Sequence, residues 1–225
     1  MKLARPDVFH PRIVLAGCPQ LVAGDPDDAG LVAALRSRGL HAGWLSWDDP
    51  QTREADLVIL RATRDCASRL REFRTWTTRV ANLLNPPGVV AWNLGERYLR
   101  DLERAGVPTR PGNPKTRTSL IFLGGEPSHA FTGARVVEPE FEVWDLGYAA
   151  IAAAAARAGI AAAELLYARA DVSDGRLARL DLVAPSLGWR RLDAEARDLA
   201  QRQFVVAVES ACERLGLGPF SHRGP

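Results

Sequence analysis

Lysine is nearly absent. Of 29 basic residues only Lys2 and Lys115 are lysine, and the other 27 are arginine. The chain therefore offers guanidinium groups, which stay charged and grip carboxylate or phosphate as a planar fork, and almost no ammonium groups. Cysteine is scarce too. Cys18, Cys66 and Cys212 are odd in number and far apart, which argues against a disulfide framework and fits a reducing cytoplasm. There is no Cys-x-x-Cys pair and no Cys/His cluster, so no zinc site is visible. Neither sign of charge dominates, with 29 basic against 27 acidic residues and a formal net charge of +2. No basic stripe serves a phosphate backbone, so no nucleic-acid partner is expected. Long apolar runs are lacking. The most apolar stretch, residues 148–168, is mostly alanine and is broken by Arg157, Gly159 and Glu164, so no membrane span is read there. The opening MKLARPDVFHPR lacks the apolar run of a signal peptide. The expectation is a cytoplasmic protein without a membrane partner.

What is present is an α/β pattern, on a chain whose 225 residues suffice for two small domains with real cores. Residues 84–111, LNPPGVVAWNLGERYLRDLERAGVPTRP, divide it. They read as a short strand, a Pro-Pro turn, a second short apolar run, a helix over 94–105 capped by Asn93, and an exit through Gly106-Val107-Pro108. Before them, strands are expected at 12–17, 40–47, 55–62 and from 83. Helices are expected from Asp27 or Asp28 to Arg38 and over 65–80. The continuous apolar centre of ADLVILRA predicts a parallel sheet covered on both faces, with ligand-side residues at the carboxyl ends of its strands. After the divide, 112–117 is a linker by composition. Strands at 119–123 and 127–131 make a hairpin across Gly124-Gly125, and strands at 165–172 and 177–183 another across Ser173-Asp174-Gly175. The alanine-rich 146–158 is a helix, while 136–144 has no clear period. Asp193 caps a last helix over 194–215, with Leu199, Phe204, Val205, Val208 and Cys212 inward. The predicted fold class is α/β: a small open parallel α/β domain at 8–111, then an α+β domain with antiparallel hairpins at 118–217, then a frayed tail at 218–225.

Several residues could carry chemistry, and each has a plainer reading. Arg61, Thr63 and Asp65 follow the third strand. A guanidinium there can clamp a carboxylate or phosphate through two parallel hydrogen bonds, while Asp65 serves equally as a helix cap and Thr63 as a turn residue. Asp25, Asp27 and Asp28 lack the spacing of a calcium loop and read as a solvated loop with a cap. His129 sits beside Ser128 in a strand, where a histidine is either a hydrogen-bonded structural residue or a catalyst; no triad can be argued from its position. Asp171 and Asp181 fall on paired strands, each two residues after an arginine, Arg169 and Arg179. The two carboxylates could share Mg²⁺ through a nucleotide, or the four residues could form cross-strand ion pairs. Glu138, Glu140 and Glu142 read as a solvated edge.

In order along the chain stand Cys18-Pro19, DPDD at 25–28, WDDP at 47–50, LVILRATRD at 57–65, LLNPPGVVAWN at 83–93 and RYLRDLERAGVP at 97–108. SLIFLGGEPSHAF at 119–131 and LLYARADVSDGRLARLDLVAPSL at 165–187 come next. Together these resemble the bacterial ATP-grasp proteins close to the RimK and glutathione synthetase group, including the cycloserine-synthetase-like branch. The resemblance covers most of the chain. It implies a pre-ATP-grasp-like first domain that helps bind the acceptor substrate, with Arg61, Thr63, Asp65 and Asn93 on the substrate side. It implies that the second domain is one α+β half of an ATP-grasp module. In the family ATP and Mg²⁺ sit between two such halves, an acyl phosphate forms and an amine displaces phosphate. Asp181 then matches a metal-ligand position, and His129, Asp171 and Arg179 are further pocket positions.

Two departures oppose that activity. Relatives carry a long segment after the Val-Pro of the divide, with a glycine-rich phosphate loop and lysines that contact ATP. Here only residues 109–118 intervene, and neither Lys2 nor Lys115 is placed to replace those lysines. On the last strand, where relatives carry acidic residues, this chain has Arg179, keeps Asp181 and has Ala184, and Glu96 stands where relatives usually show lysine. A guanidinium cannot ligate Mg²⁺ and repels one nearby. The expectation is a degenerate, internally shortened relative without ligase activity. It would be a binding or assembly protein with no cofactor, and a homodimer that covers the sheet surface left by the missing half. The alternative is an ATP- and Mg²⁺-dependent carboxylate–amine ligase with a minimal or intersubunit site. A third reading is an accessory subunit of an active ligase partner.

Overall fold

The computed structural model describes residues 10–95, 97–110, 112, 114 and 116–218. The expectations placed on Lys2, Glu96, Lys115 and the tail beyond 218 lie outside the described residues. Contacts group the described residues into two compact units, one formed by residues 10–84 together with 205–218, the other by those within 85–204.

In the first unit, β1 (Arg12–Gly17), β2 (His41–Ser46), β3 (Leu57–Ala62) and β4 (Leu83–Leu84) form a parallel sheet in the order β2-β1-β3-β4. Every residue of β3 is buried, as is β1 from Ile13 onward, as a parallel sheet covered on both faces requires. Helix α1 (Leu31–Ser37) buries Leu31 and Leu35, and α2 (Leu70–Thr77) buries Phe73 and Trp76. Trp47, Phe73 and Trp76 pack ring against ring, with centroids 5.2 to 5.7 Å apart. Both helices are shorter than the sequence predicts. A left-handed Gly30 precedes α1, so neither Asp27 nor Asp28 caps it. Asp25 instead accepts the Asp27 N–H in a 3-10 turn over Pro26–Asp28. Ahead of α2 the chain makes a 3-10 turn over Arg64–Ala67 that has no side-chain cap, and Arg69 stands at the start of α2. Asp65 is therefore not a helix cap.

The second unit is built on β5 (Thr118–Leu123), β6 (Glu126–Thr132), β7 (Arg135–Val137), β8 (Tyr167–Ser173) and β9 (Arg176–Asp181), an antiparallel sheet in the order β7-β6-β5-β8-β9. Both predicted hairpins are present. Asp174 and Gly175, with φ of 50° and 66°, form the turn between β8 and β9, the conformation that a two-residue hairpin of this twist favours. One face of the sheet, with Leu120, Phe122, Ala168, Ala170 and Leu180, forms a core with α3 (Pro87–Asn93), α4 (Tyr98–Arg104) and α5 (Phe141–Ala158). Helix α5 starts five residues earlier than its alanine run suggests. The helix expected over 94–105 is present but shorter, as α4, and the short apolar run expected before it is itself a helix, α3. Pro87 occupies the first turn of α3, where its missing N–H costs nothing. Asn93 ends α3 and does not cap α4.

Residues 85–110 belong to the second unit, whereas the sequence places the break at 112–117. Val89, Leu102 and Val107 enter the second core, and the backbone of Pro108 and Arg110 exchanges 2.9 Å hydrogen bonds with Leu177. Helix α6 (Ala194–Arg214) is capped by Asp193, whose carboxylate accepts the Ala196 N–H at 2.8 Å. Phe204, Val205, Val208 and Cys212 are buried as expected, but Leu199 is 64% exposed and lies seven residues from the equally outward Val206. No described helix is long and apolar enough to cross a membrane.

Candidate functional site

The carboxyl ends of the first sheet gather Arg61, Thr63 and Asp65, but as a tied structure rather than an open clamp. The side chains of Arg61 and Asp28 are each 1% exposed. Nε and an Nη of Arg61 donate to one Asp28 oxygen at 3.1 and 2.7 Å. Burial pushes the Asp28 carboxyl up from its ordinary value, against the pull of Arg61. Thr63 is buried, and its Oγ1 has no hydrogen-bond partner among the described residues. Asp65 accepts the Trp47 indole N–H at 2.8 Å and an Arg69 N–H at 3.3 Å. Arg69 lies 4.4 Å over the Trp47 ring and also holds Asp48 at 2.6 Å. Burial raises Asp48, but the Ser46 hydroxyl and Arg69 outweigh it and hold the carboxyl below its ordinary range.

In the second unit, the strand register brings the sequence candidates together. Arg169 faces Asp181 and Asp171 faces Arg179 across β8 and β9, with Ser119 facing Asp171 from β5. The closest ion pairs run along each strand rather than across: Arg169 to Asp171 at 2.8 Å and Arg179 to Asp181 at 2.6 Å. Asp171, 2% exposed, also accepts the Ser119 hydroxyl at 2.7 Å and lies 3.2 Å from Arg117 Nε. Asp181 also accepts the Val183 N–H at 3.1 Å. Burial pushes the Asp181 carboxyl up, with Arg179 opposing.

His129 lies on the same face of β6, where Nε2 is 2.7 Å from the Leu187 carbonyl and Nδ1 is 3.1 Å from Ser128 Oγ. It ties a loop to the sheet. Asn93 is bonded to the backbone at the end of β9. Its amide donates to the Leu180 carbonyl and its oxygen accepts the Leu182 N–H. Asn85, which the sequence reading missed, does the same at greater depth. It donates to the Tyr167 and Leu182 carbonyls and accepts the Leu166 N–H. Ser119 and Arg117 were also missed. The two-residue period of 117-119-121, set beside 169-171, is the signal that could have found them.

Residues 13–85 match the family described as D-cycloserine synthetase DcsG, N-terminal domain. Cycloserine biosynthesis protein DcsG of Streptomyces lavendulae is 32% identical over 127 residues, which cover 53% of this chain and 40% of that protein. The match thus spans less than half the length of that curated relative. A crystal structure of D-cycloserine synthetase DcsG superposes with a TM-score of 0.74 at 20% identity, over 91% of this chain and 99% of the other. The ATP-grasp ligase PsnB, solved with precursor peptide PsnA2 and AMPPNP, superposes with a TM-score of 0.56 at 15% identity, over 91% of this chain and 100% of the other. Residues 13–85 thus resemble the DcsG N-terminal domain, and the chain shares its fold with DcsG and with the ATP-grasp ligase PsnB.

The resemblance seen in the sequence implies Mg²⁺ at Asp181, on the polar face of β5, β8 and β9. The residues present do not fit that ion. Each carboxylate of the face is already engaged by a guanidinium, and Arg179 offers only donors. Among the described residues no group of three His, Cys, Asp or Glu side chains could hold a metal ion.

Proposed function

We propose that this ATP-grasp relative is a non-catalytic binding or assembly protein that acts as a homodimer. One observation carries the reading. On the polar face of the second sheet both carboxylates are neutralised by arginine, with Arg179 on β9 between the positions that would have to hold a cation. Phosphoryl chemistry rests on positioning and on stabilising the charge of the phosphates. A guanidinium fixed beside the metal position opposes that arrangement, because like charges a few ångströms apart repel. The shortage of lysine supports the same reading.

The test is phosphate release from millimolar ATP with Mg²⁺, across a panel of amino-acid and amine acceptors. The expected rate equals that of the buffer. Mg²⁺-dependent release that disappears in Asp181→Ala would overturn the reading in favour of an ATP-dependent carboxylate–amine ligase.

A further inference from the structure

Resting on that non-catalytic reading, we propose that the polar face of β5, β8 and β9 binds a phosphate-bearing anion without any divalent cation, Arg179 supplying the positive charge that a metal would bring. Charge on this face is unbalanced. Arg169 and Arg179 sit on the face itself, Arg117 enters it from the start of β5, and Arg191 reaches it from the loop after β9. Among the described residues two carboxylates, Asp171 and Asp181, stand on the face, and Arg169, Arg179 and Arg191 alone outnumber them.

The guanidinium groups are also pre-positioned. Arg169 and Arg191 both lie over the Phe131 ring, 5.3 and 4.3 Å from its centroid, within the range where a cation is drawn to a ring face. Gly188, at φ 70°, presses on that ring so closely that a Cβ would come within 2.4 Å of it. The ring is buried, 2% exposed. Arg169 is further fixed by Nε on Asp171 and an Nη on Ser119 at 3.0 Å. Arg179 is different. One nitrogen bonds Asp181, its other N–H groups have no partner among the described residues, and its side chain is 61% exposed. Arg179 and Arg169 are diagonal neighbours across β8 and β9, about 7–8 Å apart. One phosphoryl group between them can accept from both, and guanidinium–phosphate bonds are among the stronger charge-assisted kind.

The chemistry distinguishes this site from a nucleotide–metal site by sign. Where a carboxylate pair holds Mg²⁺, the metal promotes phosphate binding. Here Mg²⁺ would neutralise the anion and be repelled by Arg179, so the metal should weaken binding.

The experiment is thermal melting of the full chain with sodium tripolyphosphate in EDTA, against NaCl at matched ionic strength. Saturable stabilisation is expected, with affinity at least tenfold weaker in Arg179→Gln and when Mg²⁺ is added in excess. Arg179→Gln changes a mostly exposed residue and keeps a polar side chain, so it should fold. As a complement, Arg179→Glu places three carboxylates on the face. It should bind Mn²⁺ detectably by electron paramagnetic resonance where the parent does not. Absence of saturable binding in EDTA, binding that requires Mg²⁺, or unchanged affinity in Arg179→Gln each overturns the anion site. The phosphate-release assay judges the non-catalytic reading separately. A chain that neither releases phosphate nor binds tripolyphosphate loses this site and keeps that reading.

Discussion

Arg61 and Asp28 leave water together, and neither is tolerable alone. An isolated charge in a nearly dry interior costs far more than a paired one gains. Arg61→Ala strands a buried carboxylate and should lower stability by about 3–5 kcal/mol in urea unfolding. Replacing both partners at once, Arg61→Met with Asp28→Leu, should cost much less, because paired apolar groups need no solvation. Equal losses in the single and the double variant would show that packing, not charge, sets the cost. The pair also explains a limit of sequence reading. Arg61 at a strand end looks like a ligand clamp, and only the fold shows that a carboxylate 33 residues upstream occupies it.

The three thiols divide by burial. Cys18 and Cys212 are buried and Cys66 is half-buried. Burial pushes the Cys212 thiol up to about 11, with the nearby Glu209 adding to the effect. Its unfolded value is about 8.5. Between those values the folded chain holds a proton that the unfolded chain has lost. The Cys212 contribution to stability is therefore fully present below about pH 8.5 and is lost as pH rises toward 11. Cys212→Ala should remove that part of the alkaline decline in urea unfolding measured from pH 8 to 10.5. An identical decline in the variant would exclude Cys212 as its source. In native chain at pH 8, iodoacetamide should label Cys66 well before the other two, since the thiolate is the nucleophile.

At the scale of elements, α5 meets the sheet through small residues. Gly147 would ordinarily cost about 1 kcal/mol against alanine in a helix. Here a Cβ would come within 2.7 Å of the Phe122 ring and 2.8 Å of Leu120. Phe122 is wedged edge-on between Trp144 and Tyr148, so it has little room to yield. Overpacking should win over helix propensity, and Gly147→Ala should destabilise by about 1–3 kcal/mol. A rise in melting temperature would mean the ring can move. The period of α5 was legible in the sequence and its alanines marked it as a helix. The need for glycine at 147 was not, since it depends on which aromatic of β5 lies beneath. The same holds for residues 84–105. Their apolar spacing suggested a helix only over 94–105, and the preceding α3 went unread, held at both ends by Asn85 and Asn93 bonded to the backbone at the ends of β8 and β9. Asn85→Ala leaves the Leu166 N–H and two carbonyls without that partner. It should cost more than Asn93→Ala, on the order of 1–3 kcal/mol for each buried group left unsatisfied. Hydrogen exchange at Leu166 and Leu182 would report the two losses separately.

For the whole molecule, the order of pieces was legible and their division was not. Two hairpins and a parallel set of strands can be read from apolar period and turn residues. That residues 85–110 join the second unit comes from the bonds of Asn85 and Asn93 and a backbone bridge at Thr109, which leave no mark on composition. The proposed homodimer belongs to this scale. Phe141, Leu199 and Val206 are 72%, 64% and 58% exposed. Leu199 and Val206 are seven residues apart on α6, so they share one helix face. Scattered exposed apolar side chains are ordinary, but two on one face can seat against a second copy through a twofold axis, where each serves both partners. Sedimentation equilibrium at micromolar concentration should give the mass of a dimer. Leu199→Glu with Val206→Glu should give the monomer with an unchanged far-ultraviolet circular dichroism spectrum, because both side chains face solvent in the single chain. A dimer that survives the double change would move the interface off α6, and a parent chain that sediments as a monomer throughout would end the dimer proposal.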